Sequence, residues 1–147
     1  MEENDIFNII QNAEHIEIKD VREYSPLVLA YIGDSVYDLV IRTIVVSKGN
    51  MQVNKLHKKV SSIVKAVSQS KMMMGITDEL TEEEMSVYKR GRNAKSYTKA
   101  KNAGTVDYRI ATGFEALMGY LYISGESARM LELINKGLDV LEQEGDS

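Results

Sequence analysis

The sequence has no cysteine. Disulfides and thiolate metal sites are therefore excluded, and any metal centre must be built from oxygen ligands, with at most His15 and His57 added. Oxygen ligands suit Mg²⁺, Mn²⁺ or Ca²⁺. Proline is nearly absent as well, with Pro26 the single one. No run alternates with the period of a strand, no repeat or low-complexity segment appears, and apolar residues recur near every 3.6 positions, so the expected fold is all-α. The N-terminus, MEENDIFNII, lacks a basic segment followed by an apolar one. No signal peptide is expected, which points to the cytoplasm. The longest apolar run is interrupted by Asp34, Asp38 and Arg42, which argues against a membrane span. What remains, 44% hydrophobic and 27% charged residues, fits one soluble domain with one core.

That apolar run, SPLVLAYIGDSVYDLVIRTIVVSKG, reads as one long helix over Pro26 to Lys48. Ser25 is a natural N-cap, Pro26 suits the first turn, and Gly49 stands where a helix stops. The helix is apolar nearly all round, which predicts a place in the middle of the fold. Asp34 falls in line with Leu27, Ala30, Ile41 and Val45, so a carboxylate is expected on an apolar stripe. A buried carboxylate needs a metal, a cation or hydrogen bonds to compensate it. A structural hydrogen bonder or half of an ion pair would satisfy that demand as well as a metal ligand would.

A second helix of the same kind is expected from about Thr105 to Gly125, VDYRIATGFEALMGYLYISG. Here Glu115 is the acid set among apolar neighbours. Gly113 and Gly119 inside the helix let another element come close, as Gly33 does beside Asp34. Two core-facing acids on two central helices can hold a hard cation between them, and Mg²⁺ takes such ligands while keeping several waters. Such a centre suits phosphodiester hydrolysis.

The net charge of −4 argues mildly against nucleic acid, but the charges are segregated. Lys48 to Thr77 carries six lysines and no acid, as a solvated helix face would. Lys89 to Lys101 carries Lys89, Arg90, Arg92, Lys95, Lys99 and Lys101, again with no acid. This second run, RGRNAKSYTKAKNAGT, has small residues, two glycines and Asn93 and no helical apolar period, so a loop is expected. Amides, Asn side chains and cations in one loop suit a phosphate backbone.

Elsewhere, Ile6, Phe7, Ile9 and Ile10 suggest a short helical turn docked on the body, and His15 is expected at the surface. Val53 to Val67 has helical spacing, as one helix or two, with Ser61-Ser62 as a candidate break. Met72, Met73 and Met74 read as core or interface filler, and Gly75 as loosening the helix end. Thr81 and Glu84 form a capping box for a helix running to about Arg90, with Gly91 expected to end it. The last helix, Glu126 to about Glu142, is amphipathic.

Three of these stretches carry a family resemblance. LAYIGDSVYDL resembles the first signature of the ribonuclease III catalytic domain, and TGFEALMGYLY resembles the second. YKRGRNAKSYTKAKN is similar to the loop of the short bacterial branch, Mini-ribonuclease III. The resemblance spans about residues 22–144 of a single domain, 1–147, leaving no room for a double-stranded-RNA-binding domain. It implies a homodimeric helical bundle that cuts double-stranded RNA with Mg²⁺ (Mn²⁺ as a substitute), each subunit cutting one strand. Asp34 and Glu115 would be the catalytic, metal-binding acids. Arg90, Arg92, Asn93, Lys95, Lys99 and Lys101 would engage RNA. Usual members have further acids where Leu27, Ala30 and Thr112 stand here, a reduction the short branch shares. Asp38 and Thr112 are candidate outer-shell residues. Branch membership implies maturation of the large-subunit (23S) ribosomal RNA precursor in ribosome biogenesis, with a ribosomal protein as a candidate helper. A non-catalytic RNA-binding or ribosome-assembly module on the same fold is the alternative. A nucleotide phosphohydrolase is disfavoured, because there is no adjacent His-Asp pair.

Overall fold

The computed structural model describes residues 5–18, 20–94 and 105–145. Among them the chain forms α1 (Ile6–Ala13), α2 (Pro26–Ser47), α3 (Val53–Val64), α4 (Ala66–Ile76), α5 (Glu82–Asn93), α6 (Thr105–Ile123) and α7 (Ser127–Gly145), with no strand. The all-α expectation holds.

Local chemistry sets most of the boundaries. The Ser25 side chain accepts from the Val28 amide at 3.2 Å and Pro26 occupies the first turn of α2. Gly49, just past α2, and Gly125, between α6 and α7, both have positive φ (131° and 76°). The left-handed region is cheap for glycine, and both helices stop there. The capping box of α5 is complete: Thr81 Oγ1 accepts from the Glu84 amide at 3.1 Å, and Glu84 accepts from the Thr81 amide at 2.9 Å. Glu84 has a further role that its capping position does not announce. It is buried and takes two hydrogen bonds from the Arg129 guanidinium at 2.9 Å, tying α5 to α7. These bonds hold its carboxyl below the usual glutamate range, against the opposing effect of burial. Helix α1 forms as expected but touches the body through few groups: Phe7 meets Tyr122 edge to face at 5.1 Å and Ser127 donates to Asp5 at 3.2 Å, while Ile6, Ile9 and Ile10 are exposed. His15 is exposed, also as expected, in a left-handed backbone conformation (φ 53°).

Helices α2 and α6 form the most extensive pair, flanked by α5 and α4 against α6 and by α3 against α2. The core runs between them through Leu29, Tyr37, Ile41, Phe114, Leu117 and Leu121, with Met72 and Met73 from α4 and Leu133 and Ile134 from α7. Each such side chain contributes about 1.5–3 kcal/mol when fully buried. Tyr37 and Phe114 cross edge to face at 5.1 Å.

Three expectations need correction. α2 is not surrounded: Leu29, Ala30, Gly33, Tyr37, Ile41 and Val45 are buried, but Tyr31, Leu39 and Val46 on its other side are 81%, 53% and 59% exposed. The break after α3 lies at Lys65, whose ψ of 155° is extended, and not at Ser61-Ser62, which stay helical. Gly75 does stand in the last turn of α4, where a Cβ would come within 2.5 Å of Val140 of α7, and of the neighbouring methionines Met72 and Met73 are buried and Met74 is 57% exposed. Gly91 does not end α5. It is buried within the helix, where a Cβ would stand 2.7 Å from Ala116 Cβ and 2.9 Å from Gly113 Cα, so it serves the α5–α6 crossing.

Candidate active site

Asp34 and Glu115 are brought together by the α2–α6 crossing. A Cβ on Gly33 would lie 1.8 Å from the Glu115 carbonyl oxygen, and a Cβ on Gly119 would lie 1.9 Å from the Leu29 carbonyl oxygen. Only hydrogen at both positions permits the two backbones to touch, which is why each glycine sits beside or one turn from an acid. At this contact the Glu115 carboxyl is within hydrogen-bonding reach of Asp34.

The two acids are not equivalent, and one expectation is corrected here. Asp34 is exposed rather than core-facing. The buried stripe of α2 passes through Ala30, Gly33, Tyr37 and Ile41, and Asp34 stands at its edge, where its side chain reaches both Glu115 and solvent. Glu115 is half-buried and carries the larger cost. Burial, then the hydrogen bond and charge of Asp34, push its carboxyl up to about 8, with Gln69 working the other way. Its charge together with burial also pushes the Tyr37 hydroxyl upward, and that hydroxyl donates to Met72 Sδ at 3.1 Å.

A third polar group, Gln69 of α4, meets Glu115. It is 2% exposed; its Nε2 donates to the Val64 carbonyl at 2.8 Å and to Glu115 Oε2 at 3.4 Å. Its Oε1 is buried with no hydrogen-bond partner among the described residues. Nothing in the sequence singles out an amide between two serines.

The candidate outer-shell residues are otherwise occupied. Asp38 pairs with Arg42 at 2.8 Å on the α2 surface. Thr112 is buried one turn before Glu115, and its hydroxyl donates to the Tyr108 carbonyl at 2.9 Å. Among the described residues no three His, Cys, Asp or Glu side chains gather as a metal cluster.

The donor set still fits a hard divalent cation. Burial first, and the neighbouring Asp34 carboxyl second, favour the protonated form of Glu115, and a shared cation would relieve both by replacing the proton. The Gln69 amide, whose Nε2 contacts Glu115, carries a buried oxygen that lacks a donor among the described residues. All three groups are oxygen ligands of the type that Mg²⁺ accepts, and Mg²⁺ fills its remaining positions with water.

Of the expected RNA-binding residues, Arg90 and Asn93 are exposed on the last turn of α5, and Arg92 is half-buried. The Arg92 guanidinium lies 5.5 Å from the Tyr88 ring centroid and its Nε donates to Asn93 at 3.2 Å, so the helix end presents a partly ordered cation. Lys95, Lys99 and Lys101 lie outside the described residues. A cleft of about 840 Å³ lined by Pro26, Thr81, Met85, Lys89, Arg90 and Asn93 opens beside this helix end and includes neither acid. The basic α3–α4 segment keeps Lys55, Lys58, Lys59 and Lys65 exposed.

Residues 27–126 match the family model described as the ribonuclease III domain. The chain is similar to a Mini-ribonuclease 3 of Clostridium tetani, 49% identical over 131 residues that cover 88% of this chain and 87% of that one. A Mini-ribonuclease 3 of a Thermoanaerobacter species is 44% identical over 96% of this chain and 99% of its own. An X-ray structure of a Fusobacterium nucleatum protein, 31% identical, superposes with a TM-score of 0.74 over 86% of this chain and 99% of that one.

Proposed function

Because the chain belongs to the ribonuclease III family, in its Mini-ribonuclease 3 branch, and is thus an endoribonuclease of a family that acts on double-stranded RNA, we propose that Asp34 and Glu115 are its catalytic acids and hold Mg²⁺ between them. The observation that carries this reading is the approach of the two carboxyls at the α2–α6 glycine contact. When bound, the cation supplies charge stabilisation at the scissile phosphate and an activated water at neutral pH.

The chain's own residues divide the remaining work. Gly33 and Gly119 hold α2 and α6 in backbone contact, so the acids stand on two rigid helices rather than on loops. Asp34 is the solvent-facing acid, where a polyanion can arrive. Glu115, half-buried, gives up its proton when a cation is present and becomes the inner carboxylate. Arg90, Arg92 and Asn93 at the end of α5, with Lys95, Lys99 and Lys101 beyond it, contact phosphates. Such contacts suit A-form duplexes, which are read by shape and backbone.

The active form in this reading is a homodimer. Its support is the bare side of α2, where Val28, Tyr31, Leu39 and Val46 are exposed on a helix whose opposite side is core. A dimer places two acid pairs on one duplex, one for each strand. The core of the domain in this reading spans residues 22–144, and the dimer with its basic segments contributes the affinity for the duplex. Branch membership extends the proposal to the large-subunit (23S) ribosomal RNA precursor in the cytoplasm, with a ribosomal protein presenting the substrate. Incubating the purified protein with duplex RNA and Mg²⁺, and mapping the ends, tests the reading. Metal-dependent cuts on both strands that disappear with EDTA and in Asp34→Asn are expected. Equal cleavage by Asp34→Asn would refute it.

A further inference from the structure

Gln69 has a use that its contacts do not exhaust. Its amide orientation is fixed by the Val64 carbonyl, which only the NH₂ group can approach at 2.8 Å. The second Nε2 hydrogen is then directed to Glu115 Oε2, 3.4 Å away. Satisfying the last carbonyls of α3 accounts for Nε2 and leaves Oε1 unexplained. Buried acceptors are rarely left unpaired, and each costs about 1–3 kcal/mol when they are. Amide bond lengths place this oxygen within about 6 Å of Glu115 Oε2, on the side chain that already touches Glu115.

Resting on the metal reading above, we infer that Gln69 is the third protein group of the cation site. In this assignment Nε2 orients the Glu115 carboxylate, and Oε1 faces the cation as a neutral oxygen donor, directly or across one water. The site then draws on three helices, α2, α4 and α6. A neutral amide also suits a chain whose usual additional acids are replaced by Leu27, Ala30 and Thr112: it adds an oxygen without adding a third negative charge beside Glu115. Gln69 is a positioning residue with respect to the reaction.

The test uses the full chain without RNA, with Mn²⁺ as the probe, and reads Mn²⁺ affinity by electron paramagnetic resonance together with the Mn²⁺-induced change in Tm. Gln69→Leu removes both polar contacts; Gln69→Glu keeps the shape, cannot donate to Val64 or Glu115, and adds a charged oxygen. Gln69→Leu is expected to bind Mn²⁺ about 10–100-fold more weakly, the range for residues that orient metal ligands. Gln69→Glu is expected to have a lower metal-free Tm but a tighter Mn²⁺ affinity and a larger metal-induced rise in Tm than the wild type. A purely structural cap on α3 would lower Tm and leave both metal readouts unchanged. Wild-type affinity in Gln69→Leu, or wild-type or weaker affinity in Gln69→Glu, overturns the proposal; Gln69→Glu decides alone if Gln69→Leu fails to fold. Asp34→Asn is the control: if it leaves Mn²⁺ affinity unchanged, the acid-pair reading falls and the Gln69 assignment with it.

Discussion

At Glu115 a half-buried carboxyl faces a second carboxyl, and burial and Asp34 together hold its proton until about pH 8. In the unfolded chain the same group releases its proton near the ordinary value of 4.5. The folded state therefore binds more protons between these two values, and its stability falls as pH rises through that window. The metal-free protein should show a Tm that declines from about pH 5 to pH 8, measured by calorimetry in EDTA, and Glu115→Gln should flatten the decline. A divalent cation competes with that proton, so metal affinity should rise across the same range. For chemistry, removing either acid costs several kcal/mol of transition-state stabilisation, so Asp34→Asn and Glu115→Gln should each lower cleavage by at least about 100-fold with the fold retained. Both acids stood out in the sequence because each falls among apolar positions of a long helix. The exposure of Asp34 did not, since it depends on which side of α2 the core occupies. Gln69 gave no signal, because its burial comes from the turn between α3 and α4 and not from any local pattern.

Between elements, the α2–α6 contact is the joint on which the site depends. A methyl at residue 33 would sit 1.8 Å from a backbone oxygen that has no freedom to rotate away. Gly33→Ala should therefore force the helices apart, with a loss of stability of about 1–3 kcal/mol or more read by urea denaturation, and with weakened metal binding. The end of α5 belongs to RNA contact in the proposed function. Each phosphate contact removed by Arg90→Ala or Arg92→Ala should lower the slope of log affinity against log salt by about 1. An unchanged slope would remove those residues from the interface. Helix starts were readable at this scale, because Ser25, Pro26 and the Thr81–Glu84 box act through local hydrogen bonds. Helix interruptions were less so. Glycine marks a helix end and a close crossing with the same residue, and Gly91 serves the crossing. Lys65 turns extended although lysine carries no breaking tendency of its own, whereas the serines expected to break the helix stay within it.

For the molecule as a whole, a helix apolar on every side can be buried completely inside one chain or share its burial with another, and only the first was expected from the sequence. One chain covers only the Leu29–Tyr37–Ile41 side of α2, and the Tyr31–Leu39–Val46 side remains bare. In the proposed dimer that side is the contact. Tyr31→Glu with Leu39→Glu should then give a folded monomer by sedimentation and lose cleavage of duplex RNA. A double variant that still sediments with the wild type would place the contact elsewhere. All of these expectations converge on a cation shared by two helices at the α2–α6 crossing. Its most direct test is anomalous diffraction from crystals grown with Mn²⁺. The account predicts an anomalous peak in contact with the carboxylates of both Asp34 and Glu115; Mn²⁺ bound elsewhere, with no peak between those two acids, would contradict it.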